Sequence, residues 1–240
     1  MLSVLWVEIR KLNRSLALLL AVAAPCLIGI FAFFNVGRFD EPGPWVQWLR
    51  TSVGLWAFFM LPMSVTALTA LVAQMEHAPR SWDHLRSLPV PRWRIYAAKM
   101  TCVLGLVILM SVLNLAITYG AVELAATLKP AIRPTGEPDF AATALLLGKV
   151  LTAALLMVAI QFWAAMRFSS FVPALALGIG GTFFAVAATS AKQGVFFPWQ
   201  MAVNVMGEGW RHDTALALGG GVGAIALVAA VIHLSRREVP

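Results

Sequence analysis

Four histidines, two cysteines and eleven acidic residues are the side chains in this 240-residue chain that could hold a metal, supply a nucleophile or carry a proton. Their spacing supports none of these chemistries. His77, His84, His212 and His233 form no H-E-x-x-H pair and have no cysteine companion at zinc spacing, so no metal site is expected. Cys26 and Cys102 both fall in apolar runs, which predicts buried free thiols rather than a disulfide framework. No G-x-S-x-G elbow marks a hydrolase. The phosphate-cradling pattern G-x-x-x-x-G-K-[ST] is also missing, so the chain is expected to bind no nucleotide through that nest of backbone amides. The expected class is not an enzyme and needs no cofactor; energy for any work must come from a partner.

Polar residues inside apolar runs are costly and therefore worth weighing as pathway groups: Gln74, Asn114, Glu123, Lys149 and Gln161. Glu123 and Lys149 lie near run ends, where a long side chain can snorkel to the interface, and Asn114 and Gln161 can bond across helices. None identifies a substrate site, which stays unknown at this stage. The glycines at 178, 180, 181, 219, 220, 221 and 223 also fall within runs, where small residues let helices approach closely.

The elements that position these residues follow from composition. Sixty per cent of the chain is hydrophobic and 12% is charged, against roughly 25% charged in an ordinary soluble domain, and the mean hydropathy is +0.81. The apolar residues form continuous runs rather than the alternating segments of about 10 residues that a β-barrel requires. Runs at 16–36, 53–74, 100–124, 144–166, 171–189 and 215–234 are each close to the about 20 residues that span a bilayer as a helix. The expected fold is an all-α polytopic integral membrane protein, a single transmembrane domain over 1–240 with six transmembrane helices. The fourth and fifth runs, separated by Arg167 to Ser170, must form a tight antiparallel hairpin.

The net charge of +7 is scattered between runs rather than gathered into a groove with stacking aromatics, which argues against nucleic acid as a partner. It sets orientation instead. With the N-terminus inside, the cytoplasmic side receives eleven basic residues (Arg10, Lys11, Arg14, Arg80, Arg86, Arg92, Arg94, Lys99, Arg167, Arg236, Arg237). The outer side receives six (Arg38, Arg50, Lys129, Arg133, Lys192, Arg211). Both termini are therefore expected in the cytoplasm.

Three further segments stand out. In residues 1–14, Leu2, Leu5, Trp6, Ile9 and Leu12 share one helical face and Glu8, Arg10, Lys11 and Arg14 the other, which predicts an interfacial amphipathic helix. Residues 76–99 form the longest cytoplasmic loop; Pro79 can open a short helix with an apolar edge of Trp82, Leu85 and Leu88, which Pro89 and Pro91 end. Such an edge suits a partner with a hydrophobic groove, and it also suits anchoring in the headgroup layer. Residues 190–214 carry Phe196, Phe197, Trp199, Met201 and Trp210, too apolar for a solvated loop, and are expected to lie in the outer interface or to dip back into the bundle.

Several of these residues carry a resemblance. Glu8-Ile9-Arg10-Lys11, Arg14-Ser15, Pro25, Glu76, Ser81-Trp82, Leu85, Ser87-Leu88-Pro89-Val90 and Lys99 resemble the type 2 ATP-binding cassette permeases, especially small bacterial members associated with lantibiotic immunity and multidrug export. The resemblance implies an elbow helix at 1–14, a coupling helix in the 76–99 loop that docks a separate cytoplasmic ATPase subunit through Trp82, Leu85 and Leu88, and a re-entrant outer hairpin at 190–214. It also implies a dimer with a second, identical or related, permease chain in a bacterial cytoplasmic membrane, and outward transport of a drug, peptide antibiotic or lipid-like molecule. Arg10, Lys11 and Arg14 would hold the elbow against anionic membrane lipid. The competing expectation is a membrane sensor or assembly factor that docks a cytoplasmic protein through the same loop. An ion-coupled carrier is disfavoured because no acidic residue is centred in a run for a proton relay.

Overall fold

The computed structural model describes residues 2–13, 15–77 and 90–236. Arg14 and the whole apolar edge of Trp82, Leu85 and Leu88 lie outside the described residues. The described chain is helical, and its one extended contact is an isolated bridge between Pro44 and Thr135.

The elements, in order, are α1 (Leu2–Leu12), α2 (Leu16–Gly37), α3 (Trp45–His77), α4 (Arg92–Leu128), α5 (Phe140–Arg167), α6 (Val172–Ala187), α7 (Pro198–Asn204) and α8 (Trp210–Arg236). Five of them, α2, α3, α4, α5 and α8, are long and apolar enough to cross a membrane. α6 is apolar but has 16 residues, extended by a 3-10 turn at Ala188–Ser190. The protein is a polytopic all-α membrane protein.

Local chemistry sets the helix starts. Ser15 caps α2 by accepting from the Leu18 amide, and Asp139 caps α5 by accepting from the Ala142 amide at 2.8 Å. Pro91 precedes α4, Pro173 lies in the first turn of α6 and Pro198 opens α7, positions where a missing amide proton costs nothing. Pro62 lies inside α3, where it cannot donate to the carbonyl of residue 58. The helix absorbs this as a π turn over Trp56–Met60 just ahead of it, with the Leu61 amide donating to Trp56 O.

The second apolar run extends further than hydropathy indicates. Gln47, Arg50 and Thr51 break the apolar run, but Trp45, Trp48, Leu49, Ser52 and Val53 continue a buried helical face, so α3 begins at Trp45. α4 likewise outruns its apolar stretch at both ends.

α2 lies along α4, burying Ala17, Ala21, Ala24, Ile28 and Ala32 while Leu19, Leu27, Ile30, Phe31 and Phe34 face outward, the division expected of a helix between protein and lipid. α8 lies along α5, and its glycines make that approach possible. A Cβ at Gly219 would meet the backbone of Ala153, and one at Gly223 the backbone of Leu155 and Leu156. Gly178 sits against Thr66 of α3 and Gly181 against the Trp199 ring. Gly180 and Gly221 face open space, so close packing accounts for part of the glycine runs and not all of them.

The ends of the bundle differ. At the basal end lie α1, the end of α3, the start of α4, the hairpin between α5 and α6, and the end of α8, where His233 meets Trp163. At the distal end the loops after α2 and α4 are zipped together: Trp45 N donates to Thr135 O and Thr135 N to Gly43 O, each at 3.1 Å. Beside them Lys129 pairs with Asp40 at 3.0 Å. The connection from α6 to α8 also folds inward. Trp199, Met201, Ala202 and Val205 are buried, α7 packs on α5, and Arg50 Nη2 donates to Met206 O at 3.1 Å.

Candidate functional site

Four charged side chains from three helices meet at the basal end. α1 contributes Glu8 and Lys11, the last turn of α3 contributes Glu76, and α4 contributes Lys99 from its second turn. Lys99 Nζ lies 2.6 Å from Glu8 Oε2 and 2.7 Å from Glu76 Oε1; Lys11 Nζ lies 2.7 Å from Glu76 Oε1 and 3.1 Å from Glu8 Oε1. Each ammonium thus bridges both carboxylates in a closed ring of alternating sign with no net charge. Glu8, Glu76 and Lys99 are buried, Lys99 with no exposed surface at all, while Lys11 closes the ring on its half-buried side.

Burial alone would lower the Lys11 ammonium, but its hydrogen bonds to Glu76 and Glu8 and their charges outweigh that and hold it above its ordinary value of 10.5. The ring is an electrostatic fastener between α1, α3 and α4.

Its position gives it mechanical meaning. Glu76 and Lys99 flank the 78–89 segment on its two sides, and α1 is tied to both at once. Leu12, Ala17 and Ala21 share one buried cluster with Val72, Tyr96 and Met100, so the same elements are also joined by apolar packing.

The helix at residues 2–12 presents its faces differently from the simple split of apolar against polar. Glu8 and Leu12 are buried, Leu5 and Lys11 are half-buried, and Leu2, Trp6, Ile9 and Arg10 are exposed. Of the basic residues expected at the headgroups, Arg10 is exposed beside the α1–α4 groove and Lys11 is committed to the ring. Glu8, Glu76 and Lys99 carry no sequence signal of pairing beyond being charged residues beside apolar runs. Helical periodicity separates polar from apolar positions but does not distinguish a polar face turned to water from one turned onto opposite charges.

Several polar residues within the spans bond across helices. Asn114 donates to Ser52 Oγ at 3.1 Å, Ser52 and Thr118 share a 2.7 Å hydrogen bond, and Trp56 in the π turn donates to Ser111 Oγ at 2.9 Å, a buried polar ladder between α3 and α4. Gln161 donates to Ala174 O at 2.6 Å, joining α5 to α6. Glu123 lies 3.7 Å from Arg133 and Lys149 is half-buried.

No curated protein and no solved structure matches this chain. The sequence signature of the family described as ABC-2 family transporter protein matches residues 4–187. That stretch runs from α1 through α6 and takes in every member of the charge ring together with the 78–89 segment between its two flanks. With the helical membrane architecture, this match shows that the chain belongs to the ABC-2 transporter family, as a membrane-integral permease of an ATP-binding cassette transporter.

Proposed function

We propose that this chain is the membrane-spanning subunit of an ATP-driven exporter in a bacterial cytoplasmic membrane, with both termini in the cytoplasm. Its work is to move a hydrophobic or amphipathic substrate, a drug, peptide antibiotic or lipid-like molecule, outward. It acts with a second permease chain, identical or related, and the pair binds cytoplasmic ATPase subunits. Each ATPase grips the 76–99 coupling loop through Trp82, Leu85 and Leu88, and its closure on ATP displaces the loop. The observation that carries this reading is the ring of Glu8, Lys11, Glu76 and Lys99, which ties the N-terminal elbow helix to both flanks of that loop. Force on the loop then moves α1, α3 and α4 as one body, a rigid-body switch rather than chemistry within the membrane.

The deciding experiment is gentle-detergent purification of the tagged chain from its native host beside a Leu85→Glu variant, with mass spectrometry of what stays bound. A carboxylate in an apolar docking groove would be left desolvated and unpaired, so a stoichiometric ATPase should accompany the parent chain and be lost from the variant. A well-folded parent chain that carries no ATPase, even after crosslinking in the membrane, would end the reading.

A further inference from the structure

Between α1 and α4 runs a groove of about 680 Å³. Leu5, Trp6, Ile9, Leu12, Leu18, Cys102, Gly105, Leu106 and Leu109 supply apolar walls, and Arg10, Asn13 and Thr101 supply the polar lining. Arg10 is the one charge among these residues, and it forms no ion pair among the described residues. We propose that the groove is a binding site for an anionic phospholipid, one acyl chain lying along Leu106 and Leu109 and the phosphate held by the Arg10 guanidinium and the Asn13 amide. The inference rests on the proposed orientation, which puts the basal end at the cytoplasmic leaflet, where anionic headgroups are available to an interfacial arginine.

Charge selects this occupant over a second copy of the chain. At the basal end the described acidic residues are Glu8 and Glu76, and both are already bound to Lys11 and Lys99. A second copy presenting the same end would bring further cations, Arg92, Arg94, Arg167 and Arg236, toward Arg10. A phosphate diester supplies the missing anion, and its acyl chain covers Trp6, Ile9 and Leu109, which are otherwise exposed. Arginine is also the side chain best suited to phosphate, through its planar fork of donors.

Gly105 gives the test a clean handle, because a side chain there would enter open space in the groove rather than strike the protein. The full chain in mild detergent is given phosphatidylglycerol or phosphatidylcholine with matched acyl chains at equal concentration, and bound lipid is read by native mass spectrometry. The parent chain should retain phosphatidylglycerol over phosphatidylcholine by about fivefold to tenfold. Arg10→Gln should erase that preference, Arg94→Gln, an equal charge loss outside the groove, should leave it intact, and Gly105→Phe should lower retention of both lipids.

An unselective parent chain, selectivity that survives Arg10→Gln or falls equally with Arg94→Gln, or undiminished retention in Gly105→Phe would each overturn the site. Arg10 is exposed, so its variant reports even if Gly105→Phe folds poorly. Probing the same samples for the ATPase separates the two ideas: ATPase without lipid selectivity sinks the groove alone, and selectivity without ATPase sinks the permease mechanism alone.

Discussion

A lysine with no exposed surface must be paired or neutral, because stripping an ammonium of water costs several kcal/mol. Lys99 is paired twice, and its loss takes a partner from two buried carboxylates rather than one. Lys99→Met keeps the stem and removes the charge, so that two carboxylates face the single ammonium of Lys11 within the ring. The expected cost is about 3–5 kcal/mol, read as a lower melting temperature in detergent and faster amide exchange across α1. Adding Glu8→Gln to Lys99→Met leaves one carboxylate paired with Lys11, removes the uncompensated charge and should recover much of that loss. A single Lys99→Met variant that melts like the parent would show that the ring contributes nothing to holding α1. Little of this site was legible in the sequence. Lys11 was expected beside Arg10 at the headgroups, since both fall on the polar face, yet one turns inward and the other outward. The difference lies in Glu76 and Lys99, which are 65 and 88 residues away along the chain from Lys11 and meet it only once α3 and α4 pack together.

Helix packing in lipid gains little from the hydrophobic effect, so elements associate where small residues let backbones approach. The glycines of α8 put that to a direct test. Gly219 has the backbone of Ala153 against it and cannot accept a methyl group unless α5 and α8 separate, whereas Gly221 faces open space. Gly219→Ala should therefore destabilise the protein by about 1–3 kcal/mol, and Gly221→Ala should be neutral or slightly stabilising because alanine loses less backbone freedom on folding. Thermal unfolding of the two variants side by side separates them, and equal melting temperatures would contradict the observed packing. At this scale the sequence was more informative. Apolar run length located each helix among the described residues that is long and apolar enough to cross a membrane, since backbone pairing in lipid leaves few other solutions. Hydropathy misjudged the boundaries where a helix carries polar residues on one face, as α3 does at Gln47, Arg50 and Thr51. Nor did it indicate that the fifth run is a 16-residue α-helix finished by a 3-10 turn or that α7 packs against α5, because an apolar loop and an apolar packing element have the same composition.

For the molecule as a whole, the distribution of charge and the fold make a joint statement about orientation. The basal end gathers Arg10, Lys11, Arg92, Arg94, Lys99, Arg167 and Arg236 among the described residues, and the distal end Arg38, Arg50, Lys129, Arg133, Lys192 and Arg211. Those numbers alone are close. The acids break the near tie in net charge: at the basal end Glu8 and Glu76 are consumed in the ring, while Asp40, Glu41, Glu123, Glu137, Asp139, Glu208 and Asp213 all lie toward the distal end. The positive-inside tendency counts basic residues in short loops, and the full sequence adds Arg14, Arg80, Arg86 and Arg237 to the basal set against two further acids, Asp83 and Glu238. The expectation is a cytoplasmic basal end. It can be read with single cysteines in a Cys26→Ala, Cys102→Ala background, since the chain has no other thiol. In intact cells a membrane-impermeant maleimide should label Glu137→Cys and Glu208→Cys at the distal end. It should reach Ser170→Cys and Arg236→Cys only after the membrane is opened. The opposite pattern would put the 78–89 segment and its charged flanks outside the cell, beyond the reach of any cytoplasmic ATPase, and the proposed coupling would fall while the fold stood.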